Sequence, residues 1–322
     1  MEKINLSTST NITTTYAGEF AGKYIAAAIL SAPTLEQGGM TIHPNVKFKQ
    51  VIQRVATDDL IRNASCDFDA SATVTLTERV LNPEEFQVNL QLCKKDFHQT
   101  WQAIEMGYSA FDVMPKSFTD FLIAHVAEKV AANMETSIWQ GVNATQGQFA
   151  GIMTQLTTDA SLPSTQEIAG TSVDSSNVIA QIGSIIDAIP TRLYGQPDLK
   201  LYLSSNIVRA YIRALGGFGT SGLGANGTNN LGTQWYTNGS LSFDGLPIFL
   251  ANGLANNTGL ASQTSNLHFA TGLLNDMNEV KIIDMGLIDG SMNVRVVMRF
   301  TGDVKYGFAE DVVTYGIVNS AN

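Results

Sequence analysis

Apolar and polar residues alternate in two neighbouring segments that are separated by a turn sequence. In the first segment, Ala72, Val74 and Leu76 alternate with threonines at positions 73, 75 and 77. In the second, which follows Asn82-Pro83-Glu84-Glu85, apolar residues occupy positions 86, 88, 90 and 92. Period-2 alternation on both sides of a turn predicts two strands paired as a hairpin. The polar face carries Thr and Gln rather than charge, which is typical of a ribbon that packs against another surface.

A four-residue apolar period predicts a long helix over about residues 117–140. Ser117 and Asp120 have the spacing of a capping box at its start, and Gly141 stands where a C-terminal cap is expected. The apolar stripe consists of Leu122, Val126, Val130, Met134 and Ile138. A helix of about 23 residues is roughly 35 Å long.

The rest of the chain alternates short helices and strands. Residues 18–31 are expected to form a short helix that Pro33 ends, and a glycine-rich loop is expected over 216–245, which holds nine glycines in thirty positions. Further predicted elements are a helix over Asn177–Ile189, a strand over Leu199–Leu203, a helix capped by Asn206 and ending at Gly216, strands at 281–283 and 292–308 joined by an Asp289-Gly290 turn, and a last strand at 312–318. The order predicts an α+β chain without regular βαβ repeats.

Charge is scarce for a chain of 322 residues. Charged residues make up 15% of the sequence, against about 25% in an ordinary soluble domain. A folded monomer of this size exposes about 13,000 Å², which the 19 basic and 29 acidic residues cover at roughly one charge per 270 Å². We therefore expect part of the surface to be covered in the functional state. The net charge of −10 disfavours specific nucleic-acid binding and attraction to an anionic membrane.

The sequence contains no GxxxxGK[ST] phosphate-binding loop, no GxSxG elbow and no HExxH zinc motif. Residues 217–222 match GxGxxG, but the match follows a predicted helix rather than a strand, so it indicates a loop. Glu84 and Glu85 are adjacent and point apart, which favours a solvated turn over an acid–base pair. Cys66 and Cys93 lack CxxC spacing and predict small, reduced, mostly buried side chains. We expect no enzyme, no cofactor and no metal. The start of the chain lacks the apolar core of a signal peptide, so an intracellular protein without a membrane partner is expected.

The order of elements and the local sequence together resemble the major capsid proteins of tailed bacteriophages, which share the Hong Kong 97-type fold. The resemblance runs from about residue 45 to the end. It rests on collinear segments rather than on one diagnostic motif, and these are residues 74–76 with 86–88 and 92–96, Leu201-Tyr202-Leu203-Ser204-Ser205-Asn206, Phe243-Asp244-Gly245-Leu246-Pro247-Ile248 and residues 298–304.

The resemblance implies a division of the chain. Residues 1–48 would be an N-terminal arm and 49–95 an extended β-hairpin, which the family calls the E-loop. Residues 96–155 and 290–322 would form a peripheral domain around a spine helix at about 117–140. Residues 156–289 would form an α/β axial domain that carries the glycine-rich loop.

The resemblance also implies a function. Many copies would assemble as hexamers and pentamers into an icosahedral shell around double-stranded phage DNA, in a virion assembled in the bacterial cytoplasm. Implied partners are further copies of the chain, a portal protein, scaffolding or decoration proteins, and packaged DNA contacted non-specifically. The expected subunit-interface residues are Thr73, Thr75, Phe86, Val88, Gln91, Phe218 and Tyr236.

Two other functions stay open at this point. The same fold serves encapsulins, which are bacterial shells around cargo enzymes, and an ordinary soluble binding module or enzyme is the third alternative. One family feature is testable here, because some members join a hairpin lysine to an asparagine of another subunit. Residues 50–93 contain arginines but no lysine, and arginine stays protonated, so we predict a shell without that crosslink.

Overall fold

A computed structural model describes residues 32–57, 73–93, 116–216, 241–272 and 281–321 apart from 287, together with the isolated positions 61, 63 and 66; the side chains of residues 56, 57, 116–122, 216 and 281 lie outside this description. The predicted helix over 18–31 and most of the predicted glycine-rich loop lie outside the described residues. The helices are α1 (Pro33–Glu36), α2 (Lys116–Gln140), α3 (Ile152–Leu156), α4 (Val178–Asp187) and α5 (Ser205–Gly216). Single 3₁₀ turns span Ser164–Gln166, Thr264–Asn266 and Ala309–Asp311.

The strands form two mixed sheets and one separate pair. The strands are β1 (Thr41–His43), β2 (Gln50–Thr57), β3 (Val74–Leu81), β4 (Glu84–Cys93), β5 (Glu167–Ile168), β6 (Leu199–Leu203), β7 (Ser242–Phe243), β8 (Leu246–Leu250), β9 (Gly259–Gln263), β10 (Leu267–Ala270), β11 (Lys281–Asp284), β12 (Asn293–Tyr306) and β13 (Val312–Tyr315). The five-stranded sheet has the order β1-β10-β12-β11, and β4 pairs with β12 as well. The six-stranded sheet has the order β5-β13-β9-β6-β8-β7. Strands β2 and β3 pair only with each other among the described residues.

Helix α2 packs along the five-stranded sheet because one of its faces is apolar throughout. Val126, Val130, Met134 and Ile138 are all buried, which confirms the predicted stripe. They pack in one cluster with alternate residues of β12, among them Val294 and Met298. Gly141 follows the helix as predicted, but its φ is not positive. A Cβ there would lie 2.2 Å from the carbonyl oxygen of Phe149, so close approach of the backbone requires glycine.

A second apolar core lies between the six-stranded sheet and helices α4 and α5. It includes Ile182 and Ile185 from α4, Ile207 and Tyr211 from α5, and Leu201 from β6. The helix over 178–187 and strand β6 confirm the predicted elements within a residue or two. Asn206 does not cap α5, because its side-chain oxygen accepts hydrogen bonds from Ser204 Oγ at 2.7 Å and from the backbone N–H of Asn257 at 3.0 Å. It ties the helix to a neighbouring loop instead.

The long strand β12 confirms the predicted C-terminal alternation. Val294, Val296 and Met298 are buried, and Arg295 and Arg299 on the other face are exposed. Antiparallel pairing with β11 and a positive φ of 71° at Gly290 agree with the predicted turn. The last strand ends at Tyr315 rather than at 318.

The predicted pairing of residues 72–81 with 86–93 is wrong. Both strands exist, but β3 pairs with β2 and β4 pairs with β12 along its full length. The physical reason lies in cross-strand contacts, since Phe86 stands opposite Phe300, Val88 opposite Met298 and Leu90 opposite Val296. Apolar pairs on one face stabilise a sheet. The extended hairpin therefore covers 50–81, and residues 84–93 belong to the five-stranded sheet.

Candidate functional site: the extended hairpin

Strands β2 and β3 form an extended hairpin that lies outside both large sheets. Eight residues of each strand pair in antiparallel register, from Gln50 opposite Leu81 to Thr57 opposite Val74. At 3.3 Å per residue each strand is about 26 Å long. An isolated two-stranded hairpin is at best marginally stable in water. This element therefore depends on contacts beyond its own two strands.

One face of the extended hairpin is apolar and exposed to solvent. Paired residues share a face, so Val51 lies beside Val80 and Val55 beside Leu76. The exposed fractions are 46% for Val51, 62% for Val55, 62% for Val74, 71% for Leu76 and 37% for Val80. The Gln53–Glu78 pair lies on the same face between the two apolar pairs. Several exposed apolar side chains on one face of a strand pair are typical of an interaction surface. We call these five residues the apolar face.

The opposite face carries an arginine from β3 that binds the body of the chain. Arg79 forms an ion pair with Asp159 and donates from Nε to the carbonyl oxygen of Gly307 at 3.2 Å. Its guanidinium carbon lies 4.5 Å from the centre of the Tyr306 ring. Charge, hydrogen bonds and cation–π attraction thus act on one side chain.

Asp159 is held as a carboxylate by its neighbours. Burial raises its pKa, but hydrogen bonds from the Tyr306 hydroxyl at 2.6 Å and the Ser161 backbone N–H at 2.8 Å, together with Arg79, outweigh burial and lower the pKa to about 2. Asp159 therefore stays charged, and the ion pair with Arg79 persists, throughout the ordinary pH range.

A second arginine on the same face comes from strand β2. Arg54 donates from Nη1 to Glu310 Oε2 at 2.8 Å, and its guanidinium carbon lies 4.7 Å from the centre of the Phe308 ring. These partners lie at the end of β12, at Tyr306, and in the following connection to β13, at Gly307, Phe308 and Glu310. Both strands of the extended hairpin are thus attached to one short segment of the body.

The base of the extended hairpin is closed by a small apolar cluster and a histidine pair. Leu81, Val46 and Ala270 are buried together, with Ile52 packed against them. Beside them, His43 Nε2 lies 3.0 Å from His268 Nδ1, and Gln50 Nε2 lies 3.1 Å from His43 Nδ1. Burial and the neighbouring His43 lower the pKa of His268 to about 4, and burial lowers that of His43. Both rings are neutral at pH 7.

A buried carboxylate holds the corner where the chain passes from β3 to β4. The backbone N–H of Asn82 donates to Asp303 Oδ2 at 2.8 Å, and the N–H of Val304 donates to Oδ1 at 2.8 Å. Burial raises the pKa of Asp303 in spite of these bonds. The corner explains why two strands separated by two residues do not pair, because β3 belongs to the extended hairpin and β4 enters the five-stranded sheet directly after the turn.

The expected interface residues are distributed over different surroundings. Thr73 and Thr75 lie on the exposed part of the extended hairpin. Phe86 and Val88 are half-buried against the main core of their own chain, and the Phe86 ring lies 5.6 Å from that of Phe300. Gln91 accepts a hydrogen bond from Arg295 Nε at 2.8 Å. Phe218 and Tyr236 lie outside the described residues.

Sequence reasoning missed the residues that attach the extended hairpin. Arg54 and Arg79 interrupt polar or apolar runs, and an arginine alone does not indicate its partner. The segment that contains Arg54 gives only a weak signal of a strand, because Val51 and Val55 share a face with Gln53 whereas Ile52 lies on the other face.

Metal, membrane and dinucleotide sites were also sought in the structure. No group of three or more His, Cys, Asp or Glu side chains within the described ranges is arranged to hold a metal ion. Among the helices that the structure describes, none has both the length and the apolar character needed to cross a bilayer. The GxGxxG match at 217–222 lies outside the description.

The architecture matches solved capsid structures over almost its whole length. The capsid of an empty GTA particle aligns with a TM-score of 0.57 and 12% identity over 88% of this chain and 96% of that one. The capsid of cyanophage A-1(L) aligns with a TM-score of 0.56 and 9% identity over 99% and 98%. The capsid of Myoviridae phage XM1 aligns with a TM-score of 0.54 and 9% identity over 88% and 92%.

Comparison of sequences alone finds no such likeness, since no family model and no curated protein matches this chain. At identities of 9 to 12% the structural matches show a shared fold. The α+β fold of tailed-phage capsid proteins, which the sequence resemblance implied, is therefore confirmed.

Proposed function

We propose that this chain is the major capsid protein of a tailed phage, a structural protein that assembles with copies of itself into a closed shell. The observation that carries the proposal is the end-to-end match of its fold with capsid chains of nearly the same length. Many folds host unrelated functions, so the proposal also needs a surface that suits assembly.

The apolar face of the extended hairpin supports assembly. Fully burying a valine or leucine side chain contributes roughly 1.5 to 3 kcal/mol, so covering five partly exposed ones by a neighbouring subunit supplies several kcal/mol per contact. The apolar side chains of a single chain in water gain none of this. We propose that the apolar face lies against a neighbouring subunit. Thr75, opposite Ala56 on the other face of the hairpin, and Thr73 stay predicted interface residues.

Hexamers and pentamers are the proposed units of the shell. A contact in which the extended hairpin of one subunit lies on a different surface of the next is heterologous, and heterologous contacts close into rings. The residues predicted to meet at the ring axis, Phe218 and Tyr236, stay predictions, as do Phe86, Val88 and Gln91 as interface residues and the domain limits at 48, 95, 155 and 289.

The proposed contents are double-stranded DNA. The net charge of −10 disfavours tight, salt-dependent binding to phosphates, so packaged DNA would be contacted weakly and without sequence preference. A portal protein and scaffolding or decoration proteins are further proposed partners. The proposed location is the virion, after assembly in the bacterial cytoplasm.

Electron microscopy of the purified full-length protein tests the proposal directly. We expect closed shells of uniform diameter, and particles from the natural source should contain DNA. Shells filled with an enzyme instead would indicate the encapsulin alternative. A monomer that forms no particles under any assembly condition would contradict both shell functions.

Two variants of the apolar face make the test specific. Leu76→Asp and Val55→Asp place a carboxylate where an apolar neighbour is expected, so particles should be lost while thermal unfolding of the subunit stays within about 0.5 kcal/mol of the parent, as for most surface changes. Val142→Asp, at a valine that is also exposed but lies on the body, is the matched control. Normal shells from both hairpin variants would show that the apolar face is not buried in the assembly.

A further inference from the structure

The extended hairpin joins the body through a narrow base, so the angle at which it leaves the body needs a separate explanation. The apolar cluster at its base involves Leu81 and Ile52, which lie at one end of the two strands. A rotation of about 10° at the base displaces the end of a strand of about 26 Å by about 4 to 5 Å. Contacts further along the strands are therefore required to define the angle.

Arg54 and Arg79 provide these contacts, one from each strand and both on the face opposite the apolar face. In the register of the pair, Arg79 stands opposite Ile52 and Arg54 opposite Thr77, so the two arginines follow each other along the hairpin. Each guanidinium covers an aromatic ring of the stretch from Tyr306 to Glu310 and pairs with a carboxylate. Two such contacts at different distances from the base fix an angle that one contact leaves free.

The two contacts differ in the exposure of the carboxylate, while the arginines are similarly exposed, at 25% for Arg54 and 30% for Arg79. The side chain of Asp159, the partner of Arg79, is 13% exposed, and that of Glu310, the partner of Arg54, is 53% exposed. Asp159 is also held by Tyr306 and Ser161. Exposed ion pairs are worth about 0 to 1 kcal/mol and weaken with salt, whereas buried ones are screened less. The Arg79 contact is consequently the firm one and the Arg54 contact the adjustable one.

We propose that Arg54 and Arg79 are positioning residues that set the angle of the extended hairpin, with Arg79 as a fixed pivot and Arg54 as a salt-sensitive second contact. The inference deepens the proposed function, because the angle decides where the apolar face meets a neighbouring subunit. The angle itself is a property of one subunit and is measurable whether or not shells form.

Distance measurement between two spin labels tests the proposal. Val74→Cys, at the exposed distal end of strand β3, takes one label, Val318→Cys on the exposed body surface takes the other, and Cys66→Ser and Cys93→Ser remove the native thiols. The Leu76→Asp background keeps subunits apart. We expect one distance distribution in the parent at low salt, and a distribution that broadens at high salt.

The variants separate the two contacts. Arg54→Gln should give, already at low salt, the broad distribution that the parent shows at high salt, and should remove the salt dependence. Arg79→Gln should shift the mean distance by about 4 Å or more at every salt concentration. Arg79→Lys should restore it only in part, because lysine keeps the charge but loses the planar stacking on Tyr306.

Arg209→Gln is the matched control, since Arg209 bonds Ser205 one turn back on helix α5 and lies far from the hairpin in sequence. Thermal unfolding of each variant shows whether the body stays folded, and a variant that does not fold is replaced by Glu310→Gln or Tyr306→Phe, which alter the partners instead. Distributions for Arg54→Gln and Arg79→Gln that match the control would overturn the proposal. Absence of shells with the expected distances would contradict the proposed function alone.

Discussion

At the scale of single residues, Gly141 and Gly183 differ in the space that a side chain would find at each position. A Cβ on Gly141 would lie 2.2 Å from the carbonyl oxygen of Phe149, whereas a Cβ on Gly183, within helix α4, would meet no atom within 4 Å. At such a distance the backbone at Phe149 would have to move to accommodate a side chain at position 141. Open space around a helical glycine, in contrast, lets alanine profit from its better helix propensity.

The first prediction follows from this pair of glycines. Gly183→Ala should stabilise the protein by about 0.5 to 1 kcal/mol, and Gly141→Ala should destabilise it by more than that amount. Urea unfolding of the two variants beside the parent measures both. Equal effects of the two substitutions would contradict the packing described around Gly141.

The histidine pair predicts a pH dependence. The pKa of His268 is lowered to about 4 and that of His43 is lowered as well, while an unfolded histidine titrates near 6.5. Between these values the unfolded chain binds more protons than the folded one, so stability falls as the pH is lowered from about 6.5 towards 4. Asp303, whose pKa is raised by burial, acts in the opposite direction at the acid end.

Thermal unfolding between pH 7 and pH 4 measures this effect. His268→Gln should make the decline in melting temperature shallower, since it removes the group with the larger shift. His125→Gln on the exposed face of α2 is the control and should leave the decline as in the parent. An unchanged slope in His268→Gln would show that other groups dominate.

At the scale of elements, a buried carboxylate joins the long helix α2 to the short helix α1. Glu135 Oε2 accepts from the Thr34 backbone N–H at 3.0 Å, and Oε1 accepts from Thr34 Oγ1 at 2.5 Å. Trp139 Nε1 donates to Thr34 Oγ1 at 2.9 Å. All three side chains are buried, so these polar groups satisfy each other away from water.

Removing the carboxylate should therefore cost stability. Glu135→Ala leaves the buried backbone N–H and the hydroxyl of Thr34 without their acceptor, at about 1 to 3 kcal/mol for each unsatisfied group. Thr136→Ala, next to it on the exposed side of the helix, should cost much less. Urea unfolding measures the difference, and equal costs would contradict the network.

Pairing of strands is the feature of the elements that alternation leaves undefined. Val74 and Leu76 alternate with polar residues as regularly as Phe86 and Val88 do. This alternation alone predicts that the two segments pair as one hairpin. In the structure the first pair is exposed and the second packs on the core. Alternation predicts that a strand has an apolar face. It does not indicate whether that face packs on the core of the same chain or on another molecule.

At the scale of the whole molecule, the absence of lysine from the extended hairpin predicts the chemistry of the assembled particle. Residues 50–81 contain Arg54, Arg62 and Arg79 but no lysine, so no hairpin amine is present to form an isopeptide bond. Purified shells boiled in denaturant should give a single band near 34.6 kDa. A ladder of covalent multimers that depends on a lysine of this chain would contradict the prediction.

The low charge content of the chain is reflected in strands β2 and β3, whose few charged residues are divided between the two faces of the hairpin. Of the three charged residues in strands β2 and β3, Arg54 and Arg79 lie on the face that binds the body and have carboxylate partners. Glu78 lies on the opposite face, beside the exposed valines and leucine. Covering that face would bring one carboxylate into the contact, and a buried charge needs a partner, so the neighbouring surface is expected to supply one.

The long helix, the apolar faces of several strands and an order of elements that resembles a capsid protein can all be predicted from the amino-acid sequence. Those features depend on local periodicity, which neighbouring residues specify. Only the tertiary structure decided that β3 pairs with β2, that β4 joins β12, and that Arg54 and Arg79 bind the segment from 306 to 310. These contacts join residues up to 256 positions apart. Such pairings depend on which surfaces are complementary in three dimensions. The spacing of apolar residues along a short segment does not specify that complementarity.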